Sequence, residues 1–251
     1  MYTEEITLST LICDEDDKLT LWGLARLFQD VAGNHSDSLG VGFDGLKPIN
    51  KAWILTHVYY NILRLPTAGE RLLLHTWPKP DNGLIAPRDY QLVDAEGNIC
   101  ATSSSNWVIL DMTTRRVSRL YGIIEKFEKE NQHATKYTKL EKIKMPGDLK
   151  ELKHIDVPYS SIDHTRHVNN AEYIKWICDS IPELCGSRFA NDNDARREIS
   201  ELEINYLKET KFGDQNVSIH ENRISNNECY FQILNSHGIS VNAKVNLSHR
   251  V

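Results

Sequence analysis

Residues 61–75 read NILRLPTAGERLLLH, and 144 positions later residues 205–219 read NYLKETKFGDQNVSI. The offset aligns Asn61 with Asn205, Leu63 with Leu207, Arg64 with Lys208 and Gly69 with Gly213. Two further blocks keep the same order. DYQLVDAEGNICATSSSNWVIL resembles YFQILNSHGISVNAKVNL, setting Gln91 against Gln232 and Gly97 against Gly238 at an offset of 141, which implies a shorter preceding hairpin. Upstream, LICDEDDKLTLWGLARLFQD matches SSIDHTRHVNNAEYIKWICD at an offset of 149, pairing Asp14 with Asp163 and Asp30 with Asp179. Three blocks in one order make the 251 residues two copies of a single unit.

Each copy opens with a helical pattern. Leu21, Leu24, Ala25, Leu27, Phe28 and Val31 recur at helix spacing in the first, and Ala171, Tyr173, Ile174, Ile177 and Cys178 in the second. Asn169 with Glu172 three residues on reads as a capping box, and Pro182 ends the run. Segments of alternating apolar residues follow, WILTHVYYNIL, RLLLHTWPK, RDYQLVD and CATSSSNWVIL, separated by Gly-bearing turns such as AEGN. One helix followed by a meander of long strands predicts an α+β unit whose sheet wraps the apolar helix stripe. The two units should be related by a pseudo-two-fold axis, with sheets joined edge to edge, since pairing removes exposed strand edges. Residues 122–153 break the pattern and are rich in Lys and Glu. They predict a charged connector, partly helical near residues 123–130, between an N-terminal domain at 1–121 and a C-terminal domain at 154–251.

Composition narrows the function. Hydrophobic residues make up 40% and charged residues 25%, an ordinary globular balance. A net charge of −6 argues against nucleic acid as the main partner. Residues 113–153 nevertheless carry eleven Lys/Arg against six Asp/Glu. Such a run is a solvated strip or a docking surface for an acidic partner. Nothing approaches the apolar length of a membrane span, so no stable membrane insertion is expected. The opening MYTEEITLST lacks the basic start and apolar run of a secretory signal, which predicts a cytoplasmic protein. Cys13, Cys100, Cys178, Cys185 and Cys229 are odd in number and contain no C-x-x-C pair, the pattern of free thiols.

The densest polar cluster is DHTRHVNNAEYIKW, where Asp163, His164, His167, Asn169 and Asn170 crowd a helix start. Asp163, His164 and His167 mimic a metal box, but zinc requires a third ligand at ordered spacing, and no metal site is assigned. With the duplication and this string, the chain resembles the acyl-acyl carrier protein thioesterases, a family of two fused hotdog domains, each a central helix wrapped by an antiparallel sheet. The first-half segments FQDVAGNHSDSLGVGFDGL, KAWILTHVYYNILRLPTAGERLLLHTW and WVILDMTTRRVSRL carry the resemblance, as do DHTRHVNNAEYIKWI and INYLKETKFGD in the second. It implies hydrolysis of fatty acyl-carrier protein without a cofactor, the second domain carrying the chemistry and the first shaping the acyl site. A double-hotdog dehydratase or hydratase, or a non-catalytic acyl-binding protein, are the rival readings.

The family's first catalytic string runs Asp-x-Asn-x-His. Asp163 and His167 match it, and Thr165 stands at the asparagine position. The second runs Tyr-x-x-Glu-Cys. Tyr206 and Glu209 match, and Thr210 stands at the cysteine position, so a cysteine nucleophile is not available there. Glu209 is expected on a strand where the first copy has Leu65. In a partly dry pocket its pKa should rise toward neutrality, as suits a general base. Asp163 is the alternative base, or orients His167. Backbone N–H groups near Asn170–Glu172, with Asn169 and Asn170, would hold the oxyanion. Carrier proteins are acidic, so Arg115, Arg116, Arg119, Lys126, Lys136, Lys139, Lys142 and Lys144 form the expected docking strip. A second copy of the chain, as a homodimer, is a further candidate partner.

Overall fold

The computed structural model describes residues 1–181 and 197–249, so Pro182 and Cys185 lie outside the described residues. Two compact units divide the chain, Met1–Leu140 and Glu141–Val251.

The first unit runs β1 (Tyr2–Thr7), α1 (Leu21–Ser38), the short α2 (Phe43–Leu46), β2 (Lys51–Ile62), β3 (Arg71–Pro78), β4 (Ala86–Asp94), β5 (Ile99–Asp111) and β6 (Arg116–Ser118). Its antiparallel sheet has the order β1-β3-β4-β5-β2, with β6 beside β5. The helix starts where Thr20, in extended backbone, accepts a hydrogen bond from Gly23 N at 3.0 Å. Such a cap contributes about 1 kcal/mol. Leu21, Leu24, Ala25, Phe28, Val31 and Ala32 are buried. Phe28 stacks on Tyr60 of β2 and Tyr90 of β4, with centroids 6.3 and 5.1 Å away. The stripe read from the sequence is thus the surface that the sheet covers. The β4–β5 turn needs a left-handed residue, and Gly97 supplies it at φ 87°.

The second unit repeats this plan: β7 (Lys150–Ile155), α3 (Asn170–Ser180), β8 (Arg197–Tyr206), β9 (Val217–Ser225), β10 (Glu228–Asn235) and β11 (Gly238–His249). Its sheet order, β7-β9-β10-β11-β8, is the first unit's order with each strand replaced by its repeat partner. Residues 61–75 and 205–219 both run from the end of the strand after the helix into the next strand. The duplication is therefore structural.

Two local expectations change. The capping box is only half formed. Asn169 Oδ1 caps Ala171 N at 2.9 Å, while the buried Glu172 carboxylate accepts from Ser161 Oγ at 3.0 Å. The Asn169 N–H that a full box would give to Glu172 goes instead to Ser161 O at 3.0 Å.

Residues 122–153, expected as a connector, divide near Leu140. Ile123, Ile124 and Phe127 are buried with Val41, Leu46, Ile109 and Leu120 in the first unit's core, and only a 3-10 turn, Ile124–Lys126, is helical. The apolar residues among the charges pull this stretch onto the sheet. On the sheet's other face, buried Asp89 binds Lys79, Ser104 Oγ and Ala134 N, at 3.3, 2.7 and 2.9 Å. At the far end, residues 150–155 are β7, the second unit's edge strand. Among the described residues no helix is long and apolar enough to cross a membrane.

Candidate active site

Both units build one turn before their helix. In the first, Asp14 N binds Lys18 O at 2.8 Å, Asp17 N binds Asp14 O at 3.1 Å, and Leu19 N reaches Pro66 O at 2.8 Å. In the second, Asp163 N binds His167 O at 2.9 Å, Arg166 N binds Asp163 O at 2.9 Å, and Val168 N reaches Thr210 O at 2.8 Å. Asp17 and Arg166 occupy the same left-handed turn position, at φ 58° and 68°. The frame is shared, so the two units differ here in the side chains placed on it.

Those side chains converge. His167 Nε2 lies 3.0 Å from Glu209 Oε2, with 17% and 31% of the two side chains exposed. Asp163 Oδ1 accepts from Thr165 N at 2.8 Å and Thr165 Oγ1 at 2.5 Å, and Thr165 Oγ1 lies 3.4 Å from His167 Nδ1. The Nε2···Oε2 contact holds one proton between the ring and the carboxylate. A histidine–carboxylate pair sharing one proton can take a proton from water and return it to a leaving group. Glu209 therefore touches His167 directly, whereas Asp163 acts on it through Thr165, which bridges at the position the family gives to asparagine.

Glu209 does not lie on a strand, contrary to expectation. β8 ends at Tyr206, because Leu207 N and Lys208 N both turn onto Ser240 O, at 2.8 and 3.3 Å, and the chain leaves the ladder. The first unit does the same: Leu63 N and Arg64 N both bind Cys100 O, at 2.9 and 3.0 Å. Thr210 is fully buried, its Oγ1 3.0 Å from Ser240 Oγ and 3.2 Å from Asn235 Nδ2. It packs rather than facing the pair.

The helix start supplies less than the sequence suggested. Ala171 N is taken by the Asn169 side chain and Glu172 N by Asn169 O at 2.9 Å. Asn169 is thus a cap. Neither Asn170 N nor its side-chain amide bonds a described residue, and Tyr206 donates its hydroxyl to Asn170 O at 3.1 Å, steadying the residue. Among the described residues, the helix start leaves one backbone donor and one amide, both on Asn170, for an oxyanion.

The eight cations of the expected docking strip are all exposed. Arg115, Arg116, Arg119, Lys126, Lys136 and Lys139 belong to the first unit, and Lys142 and Lys144 to the second. Lys136 Nζ lies over the rings of Tyr59 and Tyr137, 5.5 and 5.4 Å from their centroids. His164 is exposed at the turn tip.

Sequence reasoning missed two polar groups of side chains. In the first unit, buried Arg88 donates to His35 Nδ1 and Thr76 Oγ1, both at 3.1 Å, and lies over the Phe127 ring. Burial, with the guanidinium alongside, pushes the His35 pKa down to about 4. In the second unit, Asn235 Nδ2 donates to Glu209 O at 3.1 Å as well as to Thr210, and Tyr173 meets Thr210 with its pKa raised to about 12 by burial. Asn235 was detectable in principle: the offset of 141 sets it against Asp94.

Residues 1–126 match the family described as the acyl-ACP thioesterase N-terminal domain, and residues 146–249 its C-terminal domain. Oleoyl-acyl carrier protein thioesterase 1, chloroplastic, of Arabidopsis thaliana is 24% identical over 202 residues, 72% of this chain and 55% of that protein. The Coriandrum sativum oleoyl-acyl carrier protein thioesterase, chloroplastic, is 26% identical over 65% of this chain and 49% of its own. The chain thus spans about half the length of the curated relatives it matches. Among solved structures, an acyl-ACP thioesterase from Bacteroides thetaiotaomicron superposes with a TM-score of 0.85 at 24% identity, covering 98% of this chain and 97% of that one. A 12:0-ACP thioesterase from Umbellularia californica gives 0.82 at 17% identity, over 99% and 97%. These likenesses establish the two-hotdog fold.

Proposed function

The chain belongs to the acyl-ACP thioesterase family, and from that premise we propose that it hydrolyses the thioester of fatty acyl-acyl carrier protein. The products are the free fatty acid and the carrier thiol. One observation carries the reading: the His167–Glu209 contact of 3.0 Å, on a turn whose twin holds Lys18 and Leu65 instead.

Water attacks the thioester carbonyl as the His167–Glu209 pair takes one of its protons. The tetrahedral oxyanion is met by the Asn170 N–H and amide, beside the positive end of the α3 dipole. The intermediate then collapses, breaking the C–S bond. A thiol of pKa about 8.5 leaves readily as thiolate, and the proton held by the pair neutralises it. Asp163 and Thr165 hold the imidazole so that Nε2 faces Glu209. The first unit lacks the pair and serves the acyl chain, and the exposed cations between Arg115 and Lys144 meet the acidic carrier.

The test is an assay of purified protein on carrier-bound acyl chains of graded length, following free thiol and free fatty acid together. Release of both in equal amounts is expected. An enoyl product without free acid, or binding without turnover, would overturn the proposal.

A further inference from the structure

The pair at His167 and Glu209 depends on where one loop residue sits, and that residue has no strand to hold it. β8 has ended three residues earlier. What fixes the main chain at Glu209 and Thr210 is a buried set of side chains from three other elements. Asn235, at the end of β10 and 6% exposed, donates from Nδ2 to Glu209 O at 3.1 Å and to Thr210 Oγ1 at 3.2 Å. Its Oδ1 accepts from His237 N at 2.8 Å, so the amide orientation is fixed. Ser240 of β11 meets Thr210 Oγ1 at 3.0 Å, and Tyr173 of α3 meets Thr210 from the helix. The Thr210 carbonyl in turn receives the amide of Val168, the residue after His167, at 2.8 Å. The two halves of the pair are thus tied through Thr210.

The first unit shows what this turn does without a site to serve. Asp94 stands at the place of Asn235, and Glu96 N binds Asp94 Oδ1 at 3.1 Å, just as His237 N binds Asn235. The outward oxygen of Asp94 instead pairs with Arg64 at 3.2 Å. A carboxylate cannot donate to a carbonyl, whereas the amide of Asn235 can. The substitution therefore changes the job of the position from pairing a surface arginine to gripping main chain.

We propose that Asn235, acting through the Glu209–Thr210 main chain, is a positioning residue that sets the Glu209 carboxylate against His167. The inference rests on the thioesterase reading and deepens it. A displacement of about 1 Å at a catalytic group can cost about 10²-fold in rate.

The experiment compares Asn235→Asp and Asn235→Ala with Asp94→Asn as the matched change in the first unit, each checked for folding by circular dichroism and thermal melting. Asn235→Asp keeps the acceptor for His237 N but turns the donor into an acceptor facing Glu209 O. It should lose about 10- to 100-fold in kcat with KM nearly unchanged. The acid limb of its kcat profile should also move to higher pH, because an added negative charge near Glu209 disfavours its ionised form. Asp94→Asn should lose stability and keep kcat. If Asn235→Asp does not fold, Thr210→Val against Thr210→Ser reads the same clamp, and the serine should restore what the valine loses. Normal kcat in a folded Asn235→Asp, or in Thr210→Val when the former does not fold, would overturn the inference. So would an unshifted pH profile with stability loss alone. Wild-type protein without thioesterase activity would defeat the functional reading itself, a separately visible outcome.

Discussion

Replacing Glu209 with glutamine should separate catalysis from stability, because the contact it breaks is worth much more to the first than to the second. The His167–Glu209 pair is partly open to solvent, with 17% and 31% of its side chains exposed. Pairs of that kind contribute about 0.2–1 kcal/mol to folding. In a chain of 251 residues, a change of about 1 kcal/mol moves the melting temperature by only about 2–4 °C. Loss of a positioned acid–base group costs about 10²–10⁴ in rate, which is about 3–5 kcal/mol on the barrier. Steady-state thiol release from acyl-carrier protein, beside thermal melting of the same samples, measures both. The expected result is a Glu209→Gln protein that melts within a few degrees of wild type and has lost at least the lower figure in kcat. His167→Ala should match it, and the double variant should lose little more, since residues acting as one unit are not additive. Asp163→Asn should also lose activity, through the freed imidazole. Turnover near normal in Glu209→Gln would refute the assignment, as would a large drop in melting temperature that alone accounts for the lost activity.

Three further outcomes follow from the same geometry. Reversing Arg115, Arg116, Arg119 and Lys126, all exposed, should raise KM for carrier-bound substrate, with coenzyme A thioesters little changed and the effect fading as salt rises; steady-state kinetics at two ionic strengths checks it. Alkylating the native protein should leave thiol release intact. Cys100, Cys178 and Cys229 are buried, and burial raises the pKa of the partly exposed Cys13. Finally, His35 is held below its ordinary value, at about 4. A depressed folded-state pKa contributes stability that is full above about 6.5, the unfolded value, and lost as pH falls toward 4. Denaturant melts across that window should show a steeper acid loss in wild type than in His35→Gln.

Much of this was legible in the sequence because both signals it uses are periodic or repeated. The apolar stripe of α1 and the strand alternation come directly from packing against one sheet face. The three block offsets survive because each marks a turn whose backbone is constrained: Gly97 and Gly213 sit at positive φ, and Asp14 and Asp163 close the same loop. Less legible was anything set by tertiary packing. Ile123, Ile124 and Phe127 lie among charges, so residues 122–153 read as a connector although three apolar side chains fill the first unit's core. Thr210 reads as part of the site because it stands at the family's cysteine position, and its burial between Asn235 and Ser240 depends on strands far away in sequence. Glu209 read as a strand residue because the apolar alternation of β8 does not announce the double turn onto Ser240 O.

The duplication also serves as an internal control on which residues matter. Both units spend the same main-chain hydrogen bonds on the pre-helix turn, at nearly the same distances, so that frame cannot itself be the source of chemistry. The differences are side chains at matched positions: Lys18 against His167, Leu65 against Glu209, Pro66 against Thr210 and Asp94 against Asn235. The first two supply the proton-sharing pair. The latter two account for why the pair stays in register, since proline has no hydroxyl to receive an amide and aspartate has no proton to give a carbonyl. A site assembled on a turn that also exists without it must bring its own supports. Here those supports are Asn235, Ser240 and Tyr173, drawn from the strands and helix of the same unit rather than from the turn.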